Sequence, residues 1–211
     1  FPPRSILGAI SKAKSLLLNP MEFEIAQTSY FERVVSKVYL SYEEMLSVNH
    51  AVDFDDLLFK TVVLFRNSPE VLRLYQERYI HLLIDEFQDT NVVQYSLAKL
   101  LADKYRKVCA VGDPDQSIYS WRNADIRNIL SFKKDYSDAT VVTLEVNYRS
   151  TGTILAAARN VISANKSRLE QDIRTVRESG SPIVVHEAFT EDEEAQFILK
   201  QMELLFRSKN I

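Results

Sequence analysis

Apolar positions along the first eighty residues recur at helical spacing. Ile6, Ala9, Ile10, Ala13 and Leu17 follow Pro2-Pro3 in a pattern that predicts an amphipathic helix. Asn19-Pro20 predicts a stop and a new start, with an N-cap followed by proline at the first helical position. Phe31, Val34, Val35, Val38, Tyr42 and Met45 then form a second apolar face. Asp53 is placed to cap a third helix, whose face is Phe54, Leu57, Leu58, Val62 and Phe65. Ser68-Pro69-Glu70 opens a fourth by the same chemistry.

The pattern changes at residue 80. Ile80 to Ile84 is a short apolar run ending in acids, which predicts a buried parallel strand. An amphipathic helix is predicted over Val92–Leu101, with Asp89 or Thr90 as its possible cap. A second strand is predicted over Lys107–Val111, ended by Gly112. A helix over Ala124–Phe132 and a strand over Thr140–Val146 follow. Then come a helix over Thr151–Ala164, a turn at Gly180-Ser181-Pro182, a strand over Ile183–His186 and a helix over Glu191–Phe206. Strands alternating with helices predict an α/β protein with a largely parallel sheet, its helices on both faces.

Composition narrows the class. The chain has 211 residues, of which 46% are hydrophobic and 26% charged, as in a globular protein with a core. No apolar run approaches the ~20 residues of a membrane-spanning helix. One cysteine, Cys109, excludes an internal disulfide and fits a reducing compartment. That cysteine and three dispersed histidines offer no zinc-site spacing. The start, Phe1-Pro2-Pro3-Arg4, has neither an initiator Met nor a signal pattern, and is expected to lie in mid-sequence. The net charge of −3 does not advertise nucleic-acid binding, but its distribution is uneven. Lys104 to Lys134 holds seven basic residues against three acids, whereas Glu187 to Glu194 is acidic. Solvated surface explains both equally well.

Candidate chemistry lies at the predicted strand ends, where open α/β sheets bind ligands. In HLLIDEFQDT the strand delivers Asp85 and Glu86 to its carboxyl edge. Adjacent carboxylates suit Mg-nucleotide hydrolysis, one facing the hydrated Mg²⁺ and the other orienting the attacking water. Gln88, Asp89 and Thr90 add a polar cluster with little packing purpose. In AVGDPDQSIYSWRNA, Gln116 suits a terminal phosphate or the water attacking it. Tyr119 and Trp121, two apart, would share a face if extended and offer a base-stacking platform. Arg122 suits a phosphate or a carboxylate. A core Trp121 and a locally bridged Arg122 are the competing reading. In VVTLEVNYRST, Arg149 suits charge stabilisation on a transferring phosphoryl group and Tyr148 suits base stacking. Alternatively they are a surface arginine and a half-buried tyrosine.

In order and spacing, these three segments resemble motifs II, III and IV of the UvrD/Rep/PcrA-like superfamily 1 DNA helicases. NHAVDFDDLLF, ADIRNILSFKKDY and the opening ILGAISKAK resemble the same family, so the likeness covers nearly the whole chain. It implies a RecA-like parallel sheet of the P-loop NTPase type with an inserted helical subdomain. Residues 1–52 would be that insertion, 53–139 the rest of the first motor domain, and 140–211 the start of the second.

By resemblance, Asp85 contacts Mg²⁺ through water and Glu86 activates the hydrolytic water. Gln116 links the γ-phosphate to DNA binding. Tyr119 and Trp121 touch single-stranded DNA, and Arg122 joins the two sites. Tyr148 packs on adenine, and Arg149 is the arginine finger. ATP and Mg²⁺ are the implied cofactors. Single-stranded DNA and its junctions with duplex are the implied partners, with proteins of repair or replication beside them and no membrane. The implied location is the bacterial cytoplasm with its nucleoid, or a nucleus or organelle in a eukaryote. The parent is expected to unwind DNA 3′ to 5′, with a hinge near residues 135–143.

Two departures stand out. Asn123 occupies a position where the family usually has glycine. No GxxxxGK followed by Ser or Thr occurs, so the phosphate-gripping lysine is missing and the chain is expected to be inert alone. Rival readings are a DNA- or partner-binding module without catalysis, a Mg²⁺-dependent nuclease using Asp85, Glu86 and Asp89, and a structural fragment without ligand.

Overall fold

The computed structural model describes residues 1–165 and 172–209. The chain divides into two compact units, residues 1–141 and 142–211.

Five helices lead the first unit: α1 (Pro3–Ser15), α2 (Pro20–Ala26), α3 (Tyr30–Val48), α4 (Phe54–Asn67) and α5 (Pro69–Arg78). Their starts are set by side chains. Asn19 with Glu22, Ser29 with Glu32, and Asp53 with Asp56 each form a reciprocal capping box. The backbone N–H groups of Thr28 and Ser29 and the Thr28 hydroxyl hold the Glu32 carboxyl down to about 2. Ser68, expected to cap α5, makes no capping bond; its N–H instead closes α4 on Leu64 O. Leu17 falls outside α1, in a left-handed conformation (φ 61°).

Ile10, Ala13, Val35 and Tyr39 form the core between α1 and α3, flanked by Ile6, Phe23, Phe31 and Tyr42. Not every position on the predicted faces is buried. Phe54 is 91% exposed and Met45 65%, whereas Val62 and Phe65 on α4 are buried.

Beneath this helical layer, β1 (Leu82–Ile84) pairs in parallel with β2 (Val108–Ala110), aligning Leu83 with Cys109. Between them run a 3-10 turn (Phe87–Asp89) and α6 (Val92–Ala102), and beyond β2 lies α7 (Arg127–Asp135). Asn91, rather than Asp89 or Thr90, caps α6, boxed with Gln94. Phe87 fills the space between these elements, its ring 5.4 Å from both Tyr95 and Phe132. The strands are not buried on both faces as expected: Leu83 is 78% exposed, because the described residues of this unit supply cover on one side only.

In the second unit, β3 (Val146–Asn147) pairs in parallel with β4 (Arg174–Thr175), followed by α8 (Gly152–Ile162) in chain order between them and α9 (Glu191–Lys209) after. Two predicted strands are corrected. Residues 140–145 are not strand, and neither are residues 183–186. Both runs are rich in β-branched residues, but a strand exists only when a neighbour takes its backbone hydrogen bonds. Among the described residues only the Glu145 carbonyl is taken, by the Arg174 N–H, and Val142, Leu144, Val184 and Val185 stand exposed. No helix among the described residues is long and apolar enough to cross a membrane.

Candidate functional site

Beyond β1 the chain turns sharply at Glu86, whose backbone is left-handed (φ 49°, ψ 43°). A non-glycine residue there costs ~1–2 kcal/mol, and such strain concentrates at functional sites. The turn brings the Glu86 N–H onto Asp85 Oδ1 at 2.9 Å. Both carboxylates are exposed. They lie at the rim of a concavity of about 390 Å³ whose floor is apolar, with Leu58, Leu82, Ile84 and Leu101 among its lining.

Behind the acids sits Gln88, fully buried. Its Nε2 donates to Glu86 Oε2 at 2.8 Å, and its Oε1 accepts the Asp113 N–H at 3.0 Å. Asp113 in turn organises the loop after β2. Asp113 Oδ1 accepts the Asp115 N–H (3.0 Å), and Oδ2 accepts Gln116 Nε2 (2.8 Å). Gly112 permits this fit: a Cβ there would meet Gln88 Oε1 at 2.6 Å and the Phe87 nitrogen at 3.1 Å.

Tyr119 and Trp121 do not lie on an extended segment. Ser120–Arg122 is a 3-10 turn, which still leaves the two rings 6.0 Å apart. The Arg122 guanidinium lies 4.6 Å from the Trp121 ring centre and 5.2 Å from that of Tyr119, a cation–π arrangement. Trp121 is 70% exposed, so it is not a core residue, and Arg122 forms no ion pair among the described residues. Asn123 ends the turn at φ 65°, ψ 18°. That conformation explains why glycine suits this position and why asparagine is the next best choice. Its amide donates to the buried Ser15 Oγ at 3.3 Å, tying the aromatic loop to the end of α1.

The frame beneath the loops is α7. Asn128 Nδ2 donates to Thr90 O (3.0 Å), Thr90 Oγ1 (3.1 Å) and Asn91 O (3.3 Å). The Asp125 N–H donates to Thr90 O, and the Arg127 guanidinium holds the Asp125 carboxyl below its usual range.

In the second unit Asn147 Oδ1 accepts the N–H groups of Arg149 (2.9 Å) and Ser150 (2.8 Å), fixing the turn after β3. Arg177 Nη1 donates to the Arg149 carbonyl at 2.6 Å. Tyr148 and Arg149 are left exposed.

The structure therefore gathers Asp85, Glu86, Gln116, Tyr119, Trp121 and Arg122 in the first unit, and Tyr148 with Arg149 in the second. Sequence reasoning assigned no role to Asp113, Asn147 or Arg177, and saw Gln88 only as part of a polar cluster. Asn147 had a legible signal, since asparagine habitually turns back on the N–H groups that follow it. Among the described residues no three His, Cys, Asp or Glu side chains group as a metal centre. A cation here would need further oxygen donors. That suits a hydrated Mg²⁺, which keeps several waters, and Asp85 Oδ2 has no partner among the described residues.

Parallel strands separated by helices, with acids, amides and an arginine beyond their ends, are the arrangement of an α/β protein that meets its ligands at the strand ends. The chain belongs to the UvrD/REP helicase family: residues 1–137 match its N-terminal domain and residues 142–211 match the UvrD-like helicase C-terminal domain. Membership implies the RecA-like α/β fold, of which the described strands form two short parallel pairs. The chain is 48% identical to the ATP-dependent DNA helicase PcrA of Staphylococcus aureus over 202 residues, 96% of this chain and 28% of that protein. Its identity to the PcrA of Bacillus subtilis is also 48%, over 94% of this chain and 27% of that protein. For Staphylococcus epidermidis PcrA it is 46%, over 96% and 28%. The chain thus spans little more than a quarter of these relatives' length.

Proposed function

We propose that the chain is the coupling segment of an ATP-dependent helicase that moves 3′ to 5′ on single-stranded DNA and unwinds duplex at junctions. One observation carries this reading. The Tyr119–Trp121–Arg122 cluster, with Trp121 and Arg122 exposed and Tyr119 half-buried, sits on the same short loop as Gln116, which is hydrogen-bonded through Asp113 and Gln88 to Glu86. A base-stacking platform and a hydrolytic carboxylate are thereby joined within one unit.

In this reading Asp85 faces a hydrated Mg²⁺, which would neutralise charge on the phosphates of ATP. Glu86 orients and deprotonates the attacking water. Gln116 senses the γ-phosphate, Tyr148 packs on adenine, and Arg149 stabilises charge on the transferring phosphoryl group. Tyr119 and Trp121 hold bases by stacking, and Arg122 links them to the loop. We assign residues 1–52 to an inserted helical subdomain, 53–139 to the first motor domain and 140–211 to the second, with the hinge near 135–143. Repair and replication proteins are the proposed partners, and the bacterial cytoplasm the proposed location.

The chain carries no GxxxxGK segment, so alone it is expected to bind DNA without turnover. The test is phosphate release with and without single-stranded DNA, by the 211-residue chain and by the full-length protein. DNA-stimulated release by the full-length protein alone is the expected result. Release by the short chain would overturn its incompleteness, and absence of stimulation in the full-length protein would overturn the helicase reading.

A further inference from the structure

Gln88 is the one fully buried polar side chain among the strand-end loops, and both ends of its amide are used. Its orientation is fixed by chemistry. The Asp113 N–H can only donate, so the amide oxygen must face it, and the NH₂ group must then face Glu86. Glu86 itself is exposed, on a left-handed backbone. The hydrogen bond from Gln88 Nε2 is the only one its carboxylate receives among the described residues. On the other side, Asp113 is held to Gln116 by a 2.8 Å bond. Gly112 leaves room for the amide where a methyl group would collide with it.

We propose that Gln88 is a positioning residue that transmits the position of the Gln116 loop to the Glu86 carboxylate. Displacement of Asp113 by Gln116 moves the acceptor end of a rigid planar amide, and the donor end carries Glu86 with it. The inference rests on the helicase reading above. Glu86 is the catalytic residue; Gln88 acts only through it.

A purely structural Gln88 would serve to satisfy the Asp113 N–H. The variant Gln88→Glu separates the two roles. One carboxylate oxygen can still accept from Asp113, but no N–H remains for Glu86, and the new charge repels it. In the full-length protein, Gln88→Glu is expected to lower the kcat of DNA-stimulated ATP turnover about 10- to 100-fold, part of the ~10²–10⁴ that a placed base contributes. KM for ATP and affinity for a single-stranded oligonucleotide should stay at wild-type values, while the melting temperature falls because a carboxylate is placed where the amide was fully buried. Gly112→Ala pushes on the same amide from the opposite side and should give the same kcat-selective loss. It supplies the answer if Gln88→Glu does not fold. The double variant should be no slower than the worse single one, because both act through one group.

Wild-type kcat in a folded Gln88→Glu protein would overturn the proposal. So would a loss shared equally between kcat and KM, or additive losses in the double variant. A wild-type protein without DNA-stimulated turnover would instead strike the helicase reading.

Discussion

Two polar clusters in the first unit are built in opposite ways. Around Lys14, burial is met by neutralisation. Its ammonium, fully buried, lies 2.6 Å from Glu43, 2.7 Å from Asp53 and 2.8 Å from Asp56, and Lys60 closes on Asp56 at 3.2 Å. Burial alone would lower the Lys14 pKa, but the three carboxylates outweigh it and hold the ammonium charged. Burial likewise pushes the Tyr42 hydroxyl up to about 12, helped by its hydrogen bond to Asp53. At the strand ends, Asp85, Glu86 and Asp113 receive N–H groups but no cation among the described residues. The first cluster is closed and locks α1 to α4. The second is open, and its uncompensated charge is what a hydrated divalent ion would meet. A buried, balanced cluster contributes to folding, whereas an exposed, unbalanced one leaves its chemistry for a ligand.

The contrast is sharpest where each cluster loses one member. Glu86→Gln in the full-length protein should cut ATP turnover by ~10²–10⁴ while leaving the melting temperature unchanged. A large loss of stability would instead place Glu86 among the folding groups. Lys14→Met should do the reverse, costing ~3–5 kcal/mol in urea unfolding by stranding buried carboxylates.

The two proteins should also differ in acid. Burial raises the Asp53 pKa, but Lys14, the Asp56 N–H and Tyr42 together bring it below its ordinary value. The stability it contributes is therefore complete above the unfolded value of ~3.9 and disappears as pH falls through the lower folded value. Without Lys14 the burial that raises the Asp53 pKa is less opposed, so the variant should lose less stability than the parent as pH falls from neutrality towards 4. Parallel acid curves for the two proteins would refute the assignment. Smallest in effect, Trp121→Ala should weaken single-stranded oligonucleotide binding by ~1–3 kcal/mol for the one base it stacks on. Binding should also weaken as salt rises, through counterion release. Unaltered affinity would detach the aromatic loop from DNA.

Much of this was legible in the chain. Asn19 and Asp53 announced helix starts because a cap and its partner lie three residues apart, within reach of local reading. The acids at 85–86 and the aromatics at 119–121 stood out because polar residues crowd directly after apolar runs. What could not be read depends on distant partners. Gln88 acquires its role only when Asp113, 25 positions on, folds against it. Lys14 has no local signal at all, because the carboxylates of Asp53 and Asp56 that close over it lie some forty residues away. Thr140 to Leu144 has strong strand composition and stayed irregular, because pairing decides a strand and composition does not.

The uncovered side of the β1–β2 pair has a practical consequence. Leu83 and Cys109 stand side by side there in register, both open to solvent, and among the described residues both outer strand edges lack a neighbour. Unpaired edges are templates for strand addition between molecules. An exposed thiol beside an apolar side chain can then make a reversible encounter covalent in air. At three residues each the strands are too short for edge pairing to hold by itself, so any self-association of the 211-residue chain through this face is expected to depend on the thiol and to disappear under reducing conditions.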